Sequence, residues 1–212
     1  MDRLIIRNET EEDYVIVEDI TRDAFWNLHV PGCEEHYLVH VMRKHEDFIP
    51  ELDFVVELDG KIIGNVMYTK AKLIDENGKE KSILTFGPIS ILPEYQRRGF
   101  GKKLLDFSFN NALKLGYDAV VIYGNPGNYV SCGFKSCKKY NICLENDVFP
   151  TVMLVKELTP NVFDGKKWYY QESPVYNIDS REVANFDKLF KTKEKKYQPS
   201  QEEFYIYSHS TL

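Results

Sequence analysis

A turn at residues 96 to 102 combines glycines and basic side chains in a spacing that could bind an anion. It reads Gln96, Arg97, Arg98, Gly99, Phe100, Gly101 and Lys102. Glycine has no Cβ, so a ligand can lie directly against the backbone. The sequence predicts a buried strand that ends at Pro93 and a long helix that follows the turn. The first main-chain amides of a helix are unpaired and carry partial positive charge. The turn therefore suits a pyrophosphate.

This turn resembles the Gln/Arg-x-x-Gly-x-Gly/Ala signature of the GNAT superfamily of N-acetyltransferases. In that family the turn binds the pyrophosphate of acetyl-coenzyme A (acetyl-CoA), which is a cosubstrate, and no metal is expected. Two other glycine motifs are excluded, because Leu104 stands where a dinucleotide fingerprint needs glycine and Lys103 where a Walker loop needs serine or threonine. A helix start with incidental glycines is the alternative, and the agreement of strand, proline, basic residues and helix disfavours it.

The elements around the turn predict an α/β (α+β) fold. Asp59 and Gly60 between two apolar runs indicate a hairpin, and the apolar stretch 119–123 after the helix indicates a parallel strand reached by a right-handed crossover. The resemblance implies the GNAT fold: a mixed, mostly antiparallel central sheet of six or seven strands with splayed parallel strands 4 and 5, flanked by helices on both faces. It covers residues 1 to 158 and is nearest to a branch of predicted bacterial acetyltransferases.

Gly87 and Pro88 interrupt the strand before the turn, which predicts a bulge or break in its ladder. In the family a bulge here splays this strand from its parallel neighbour, and the pantetheine arm of the cosubstrate pairs with the exposed backbone. By resemblance, Ile89, Ser90 and Ile91 supply that backbone. Unpaired strand amides are also suitable donors for the thioester oxygen.

A second informative stretch begins where Asn125 and Pro126 predict the start of a short helix. In the family, a tyrosine four residues before a Gly-Phe pair donates a proton to the sulfur of the departing coenzyme A, and Tyr129 holds that place before Gly133. A phenol with a pKa near 10 is protonated at neutral pH and can act as this acid. Packing in the core is the alternative for any one of the 14 tyrosines.

These inferences give a catalytic role to Tyr129 and a cofactor-binding role to a set of residues in both stretches. The set is Ile89, Ser90, Ile91, Gln96, Arg97, Arg98, Gly99, Phe100, Gly101, Lys102 and Asn125. The general base stays open, because spacing selects none of the candidates Glu34, Glu35, His36, His40 and Glu94. Cys132 could suggest a covalent acetyl-enzyme, but no histidine stands in register with it, and we interpret it as a small apolar residue.

Composition limits the classes of function. A chain of 212 residues can bury one sizeable core, and a net charge of −6 argues against a general nucleic-acid binder. No apolar run approaches the roughly 20 residues of a membrane span, and the N-terminus does not resemble a signal peptide. Four cysteines without CxxC spacing fit a reducing cytoplasm, so we expect a cytoplasmic protein without a membrane partner, and the resemblance implies that it is bacterial.

Residues 159–212 are rich in aromatic side chains, so the sequence predicts an extension that packs on the acetyltransferase domain of residues 1–158. The extension could border the acceptor side of the cleft, or it could pack there without a catalytic role. The basic run from Lys191 to Lys196 is typical of a solvated face.

The favoured hypothesis is an N-acetyltransferase, an acyltransferase enzyme that transfers the acetyl group of acetyl-CoA to an amine by direct attack in a ternary complex. A non-catalytic acyl-CoA sensor with the same fold is the first alternative, and an interaction protein that uses its aromatic C-terminal segment is the second. The acceptor, a small-molecule or protein amine, and the oligomeric state, for which a homodimer is the commonest choice, stay open.

Overall fold

A mixed sheet of nine strands forms the centre of the computed structural model, which describes residues 3–212. The strands are β1 Leu4–Asn8, β2 Phe54–Leu58, β3 Lys61–Asp75, β4 Glu80–Ile91, β5 Ala119–Tyr123, β6 Lys135–Ser136, β7 Ile142–Cys143, β8 Met153–Glu157 and β9 Trp168–Gln171. Their order in the sheet is β1-β2-β3-β4-β5-β8-β6, and β9 pairs with both β3 and β7. The predicted class of fold is confirmed, and the short strands β6, β7 and β9 raise the strand number above the six or seven expected.

Six helices accompany the strands in the described residues. They are α1 Tyr14–Phe25, α2 Glu35–Met42, α3 Phe100–Lys114, α4 Pro126–Tyr129, α5 Ser180–Asp187 and α6 Pro199–Ser208. A capping box between Thr10 and Asp13 precedes α1, and Gly116 with a φ of +88° follows α3. Throughout residues 3–212, every helix is too short or too polar to cross a bilayer.

Helices α1 and α3 lie on opposite faces of the sheet. Ser90 on β4 donates its hydroxyl to Thr21 on α1, whereas the side chain of the next residue, Ile91, approaches Gly101 at the start of α3. Successive side chains of a strand point to opposite faces, so this pair of neighbours assigns the two helices to the two faces.

Strands β4 and β5 are parallel but share a single residue pair, Leu84 with Val120. Just beyond it, β4 carries a bulge: Phe86 pairs with Tyr68 and Ile89 with Val66, so that two residues of β4 face one of β3. The two strands therefore part after Leu84, as the Gly-Pro pair and the resemblance predicted. We call the opening that results the β4–β5 gap.

The C-terminal residues contribute to the sheet and to its helical layer. Tyr170 on β9 pairs with Leu73 on β3, and Asp187 on α5 accepts a hydrogen bond of 2.7 Å from Arg22 on α1. These contacts join residues beyond 158 to both layers, while the division into two units at residue 158 stays a prediction.

Candidate active site

The turn after β4 folds back on the end of that strand. The side-chain amide of Gln96 donates to the main-chain carbonyl of Ile91 over 2.9 Å, and the main-chain amide of Gln96 donates to Pro93 over 3.3 Å. Arg97 and Gly99 then take positive φ values of +58° and +85°. These two left-handed residues change the direction of the chain so that it enters α3. Gly99 is the N-cap residue of that helix.

The main-chain amides of residues 97 to 102 donate no hydrogen bond to any acceptor in the described part of the chain. The first amide to be paired in α3 is that of Lys103, which donates to Gly99 over 3.1 Å. Gln96 differs from its neighbours, because its amide is already paired within the turn. The turn and the helix start thus present a row of unpaired donors at the positive end of the helix.

The two glycines of the turn are subject to different constraints. Position 99 favours glycine because its φ is positive. At Gly101, a Cβ would meet only the Ile91 side chain, at an ordinary contact distance of 3.7 Å. The protein itself therefore leaves room for a Cβ at Gly101.

The basic side chains keep their charge available at this turn. The guanidinium of Arg98 lies over the rings of Tyr95 and Phe100, at 5.5 Å from each centroid. The nearby carboxylate of Glu94 pairs with Lys61 over 3.2 Å instead. Among residues 3–212, Arg97, Arg98 and the lysines at 102 and 103 have no carboxylate within ion-pair distance, so the local field is positive in a protein of net charge −6.

Residues 89 to 91 of β4 use one edge of their backbone and leave the other to the gap. Ile89, Ser90 and Ile91 pair with β3, whereas β5 has already diverged from β4 at this level. The Ser90 hydroxyl already donates a hydrogen bond of 3.1 Å to Thr21 of α1. These three residues can therefore offer main-chain groups, rather than side chains, to a ligand in the gap.

Tyr129 lies at the end of α4, which follows β5 after one short turn. Its ring packs between Phe86 on β4 and Phe134, with 5.8 Å between ring centroids in both cases. A Cβ on Gly124 would lie 2.5 Å from the Tyr129 ring, so Gly124 provides the space that the ring occupies. Asn125 caps α4 by accepting from the amide of Gly127 over 2.8 Å.

The Tyr129 hydroxyl is free to serve a ligand, since it has no hydrogen-bond partner in residues 3–212. Burial raises the pKa of Tyr129 to about 12, which keeps the phenol protonated across the neutral range. The structure thus places the ring of a protonated tyrosine against Phe86 of β4.

The five candidate bases are each engaged elsewhere. Glu34 accepts from Ser180, Glu35 pairs with His29, His40 with Glu18, and Glu94 with Lys61, while His36 is fully buried. The contacts within residues 3–212 therefore single out none of the five as a general base.

One buried row of side chains has the order of a nucleophilic triad without its reactivity. Cys33 Sγ lies 3.3 Å from Nδ1 of His36, whose Nε2 lies 3.3 Å from Oδ1 of Asp187. Burial raises the pKa of Cys33 to about 12 and lowers the pKa of His36 to about 4. Both groups stay neutral, so Cys33 is an inert thiol. Cys132, by contrast, has only the Asn128 carbonyl near its sulfur, at 4.0 Å.

The match to a family model defines the class of protein. Residues 22–135 match the model described as the acetyltransferase (GNAT) family. The match spans more than half of the 212 residues, and the chain belongs to this family.

Two of its relatives are named as uncharacterised N-acetyltransferases, and their names record no substrate. The chain is 26% identical to YhbS, an uncharacterised N-acetyltransferase of Escherichia coli, over 140 residues that make up 66% of the chain and 78% of YhbS. It is also 26% identical to the uncharacterised N-acetyltransferase YjhQ of E. coli over 104 residues, 49% of the chain, and it spans only 57% of the length of YjhQ.

Two solved structures share the fold. The crystal structure of E. coli YhbS in complex with CoA has a TM-score of 0.72 and 21% identity, and the alignment covers 84% of this chain and 94% of YhbS. A GNAT family acetyltransferase of Brucella melitensis in complex with acetyl-CoA has a TM-score of 0.63 and 22% identity, with 82% and 98% covered. Identities at this level establish the fold alone.

Proposed function

We propose that this protein is an N-acetyltransferase that transfers the acetyl group of acetyl-CoA to a primary amine by direct attack in a ternary complex. One observation carries the proposal: the same strand β4 leads into the unpaired amides of residues 97 to 102, loses its parallel neighbour at residues 89 to 91, and packs on the Tyr129 ring through Phe86. A diphosphate, an extended amide-bearing arm and a thioester fit these three groups in that order.

The residues of the turn would hold the diphosphate with main-chain amides, supported by the unpaired charges of Arg97, Arg98 and Lys102. Residues 89 to 91 would pair with the amide groups of the arm, and Asn125 would border the arm from α4. The acetyl-CoA bound there supplies the thioester carbonyl as the electrophile. YhbS and the Brucella acetyltransferase, which share this fold, were solved with CoA and acetyl-CoA.

The chain contributes to the reaction by orientation, polarisation and proton donation. The free amides of β4 stabilise negative charge on the carbonyl oxygen. Tyr129 donates its proton to the leaving sulfur. Its pKa of about 12 lies above that of an exposed thiol, but a thiolate that forms in the same buried place has its pKa raised by the same loss of solvent. Alignment of two bound reactants supplies a large share of the rate.

A screen of primary amines with acetyl-CoA, read by release of the free thiol, tests this function. We expect thiol release with at least one amine, and we expect Tyr129→Phe to lower kcat by about 100-fold or more because it removes the acid. The dissociation constant of acetyl-CoA should stay unchanged in this variant. Tyr14→Phe is the matched control, since Tyr14 lies on α1 beneath the Arg43 guanidinium.

The outcomes separate the hypotheses. Acetyl-CoA binding without thiol release for any amine would favour the acyl-CoA sensor. Equal turnover of Tyr129→Phe and the parent protein would remove Tyr129 from the mechanism. No binding of acetyl-CoA at all would contradict the proposal.

A further inference from the structure

The β4–β5 gap opens to both faces of the sheet, and the face opposite Tyr129 has its own set of polar side chains. Phe86 contacts the Tyr129 ring, so its neighbour Thr85 points to the other face. Tyr123, the last residue of β5, also points there, because its ring packs edge-to-face on Tyr170 with 5.8 Å between centroids. A group on this second face can thus reach the gap from the side that the cosubstrate path leaves free.

Tyr170 and Tyr176, from the C-terminal part of the chain, complete this face. The Tyr176 hydroxyl donates to the Gly87 carbonyl in the bulge and accepts from the Thr69 hydroxyl, at 3.4 Å in both cases. Tyr170 is 7% exposed, and its hydroxyl has no partner at hydrogen-bond geometry within the described residues. A buried and unsatisfied hydroxyl points to a missing polar ligand or water.

Glu172 follows Tyr170 by two residues and lies among the same tyrosines. Burial and, after it, the charge of Glu172 raise the pKa of Tyr123, Tyr170 and Tyr176. These three phenols are the titratable groups that face Glu172. The carboxylate has no hydrogen bond or ion pair with any residue from 3 to 212, and burial raises its pKa.

The backbone around Glu172 is held in place. The hydroxyl of the next residue, Ser173, donates to Asp47 over 2.7 Å and accepts from the amide of Val175. The main chain from which the Glu172 side chain extends is therefore held by the fold. Tyr123 is 41% exposed, so the cluster can be reached from solvent.

We propose that Glu172 and the rings of Tyr123, Tyr170 and Tyr176 form the acceptor site of this enzyme, which binds the ammonium group of a primary amine carried on an apolar body, and that Glu172 is the general base. This inference rests on the proposed acetyl transfer. A partly buried carboxylate without a partner attracts a cation, and aromatic faces add to the attraction. The unpaired Tyr170 hydroxyl gives the bound amine a further polar contact.

The proton balance of the step is complete. Glu172 takes one proton from the ammonium group and passes it to solvent. The free amine nitrogen then bonds to the carbonyl carbon of the thioester, the bond from that carbon to sulfur breaks, and Tyr129 gives its proton to the sulfur. The nitrogen loses its second proton as the amide forms, and this proton restores Tyr129. One proton is released overall, with one amide and one thiol formed.

The test compares the parent protein with Glu172→Gln, which keeps the shape of the side chain and removes the base. Glu203→Gln, on the exposed surface of α6, is the control. At pH 7, with 2-phenylethylamine and acetyl-CoA, we expect kcat/KM to fall at least about 100-fold in Glu172→Gln and to stay unchanged in the control. The loss should shrink towards pH 9.5, where more of the amine is already uncharged, whereas a purely structural role would leave it constant.

Two further arms identify the acceptor and separate failures. Ethanolamine and the N-terminal amine of a short peptide, compared with 2-phenylethylamine, distinguish polar, apolar and peptide amines, and a preference for ethanolamine would contradict the apolar body. Thiol release that is equal in Glu172→Gln and the parent would overturn the inference while the proposed function stands. If no amine causes thiol release, 2-phenylethylamine is titrated by calorimetry into CoA-saturated protein. Binding to the parent that is lost in Glu172→Gln would support the acceptor site. The absence of binding to the parent would overturn it.

Discussion

The two sides of the β4–β5 gap are built from different groups. The cofactor side, residues 89 to 102, presents main-chain amides and basic side chains that meet no carboxylate in the described chain. The opposite side presents tyrosine rings and Glu172, a carboxylate that meets no cation there. Each side thus leaves one sign of charge uncompensated, and each suits a reactant of the opposite sign.

If the proposed sites are correct, this difference lets a protein of net charge −6 hold an anion and a cation close together. The overall field favours a cationic acceptor and opposes an anionic cosubstrate. Local amides and a helix start, which act over a few ångströms, overcome that field on the cofactor side only.

Lowering the pH should give the largest difference in stability between the two sides. Burial lowers the pKa of His36 to about 4, although the nearby charge of Asp187 opposes the shift. Above the ordinary pKa of 6.5 the histidine is neutral in both states, so its contribution to stability is complete. As pH falls from 6.5 to 4, the unfolded chain takes up the proton first, and the free energy of unfolding should fall by about 3 kcal/mol.

His36 packs on Phe186 and Phe190, so this loss should act on the C-terminal segment that also carries Tyr170, Glu172 and Tyr176. Hydrogen exchange at pH 5 should show lower protection in residues 168–190 than at pH 7, with little change in α3. Urea unfolding at both pH values gives the free energies. His36→Leu, which cannot titrate, should flatten the pH dependence, and an unchanged slope in this variant would contradict the assignment.

A substitution at Gly124 should lower kcat without changing the residues on either side of the β4–β5 gap. In Gly124→Ala the new Cβ would lie 2.5 Å from the Tyr129 ring, which must move. We expect kcat to fall by about 100-fold, as displacements of about 1 Å do, while acetyl-CoA binding is retained. Gly127→Ala in the same helix is the matched control, because its Cβ meets only the Asn125 side chain, at 3.2 Å. Equal losses in both variants would mean that α4, rather than the ring position, is responsible.

Salt should give the smallest effect and should act on the two sides unequally. Raising the ionic strength from about 0.05 M to 0.5 M should weaken acetyl-CoA binding roughly three- to tenfold, because the charges of the turn are exposed and easily screened. The KM of the amine should change less, since Glu172 is partly buried. Calorimetry and steady-state kinetics measure the two, and an equal salt dependence would remove the contrast between the sides.

The cofactor side could be predicted from the sequence because its parts are contiguous. Strand end, turn and helix start lie within residues 89 to 102, and the glycine pair specifies where backbone must be exposed. Local rules also predicted the bulge at Gly87 and Pro88 and the helix that carries Tyr129. The pairing of the Gln96 amide within the turn was not foreseen, since it depends on the short helical turn at Pro93.

The acceptor side could not be predicted because its residues are far apart in sequence. Tyr123 ends a strand of the central sheet, whereas Tyr170, Glu172 and Tyr176 follow from the way β9 pairs with β3. That pairing is a long-range contact with no turn signal to announce it. The same limit applies to the proposed base: Glu172 is not among the five candidates taken from the sequence, because the burial that distinguishes it is a property of the folded chain.

The most direct test of the central claim is a calorimetric titration of acetyl-CoA into the parent protein and into Gly101→Val. A Cβ at Gly101 meets Ile91 only at an ordinary contact distance, so we expect the variant to fold and to bind acetyl-CoA at least about tenfold more weakly, because a valine beside the amides of the turn hinders close approach of the diphosphate. Asn110→Val, on the exposed surface of the same helix, should bind like the parent protein. Equal affinity in Gly101→Val and the parent, or no heat of binding in the parent, would contradict a diphosphate site at this turn.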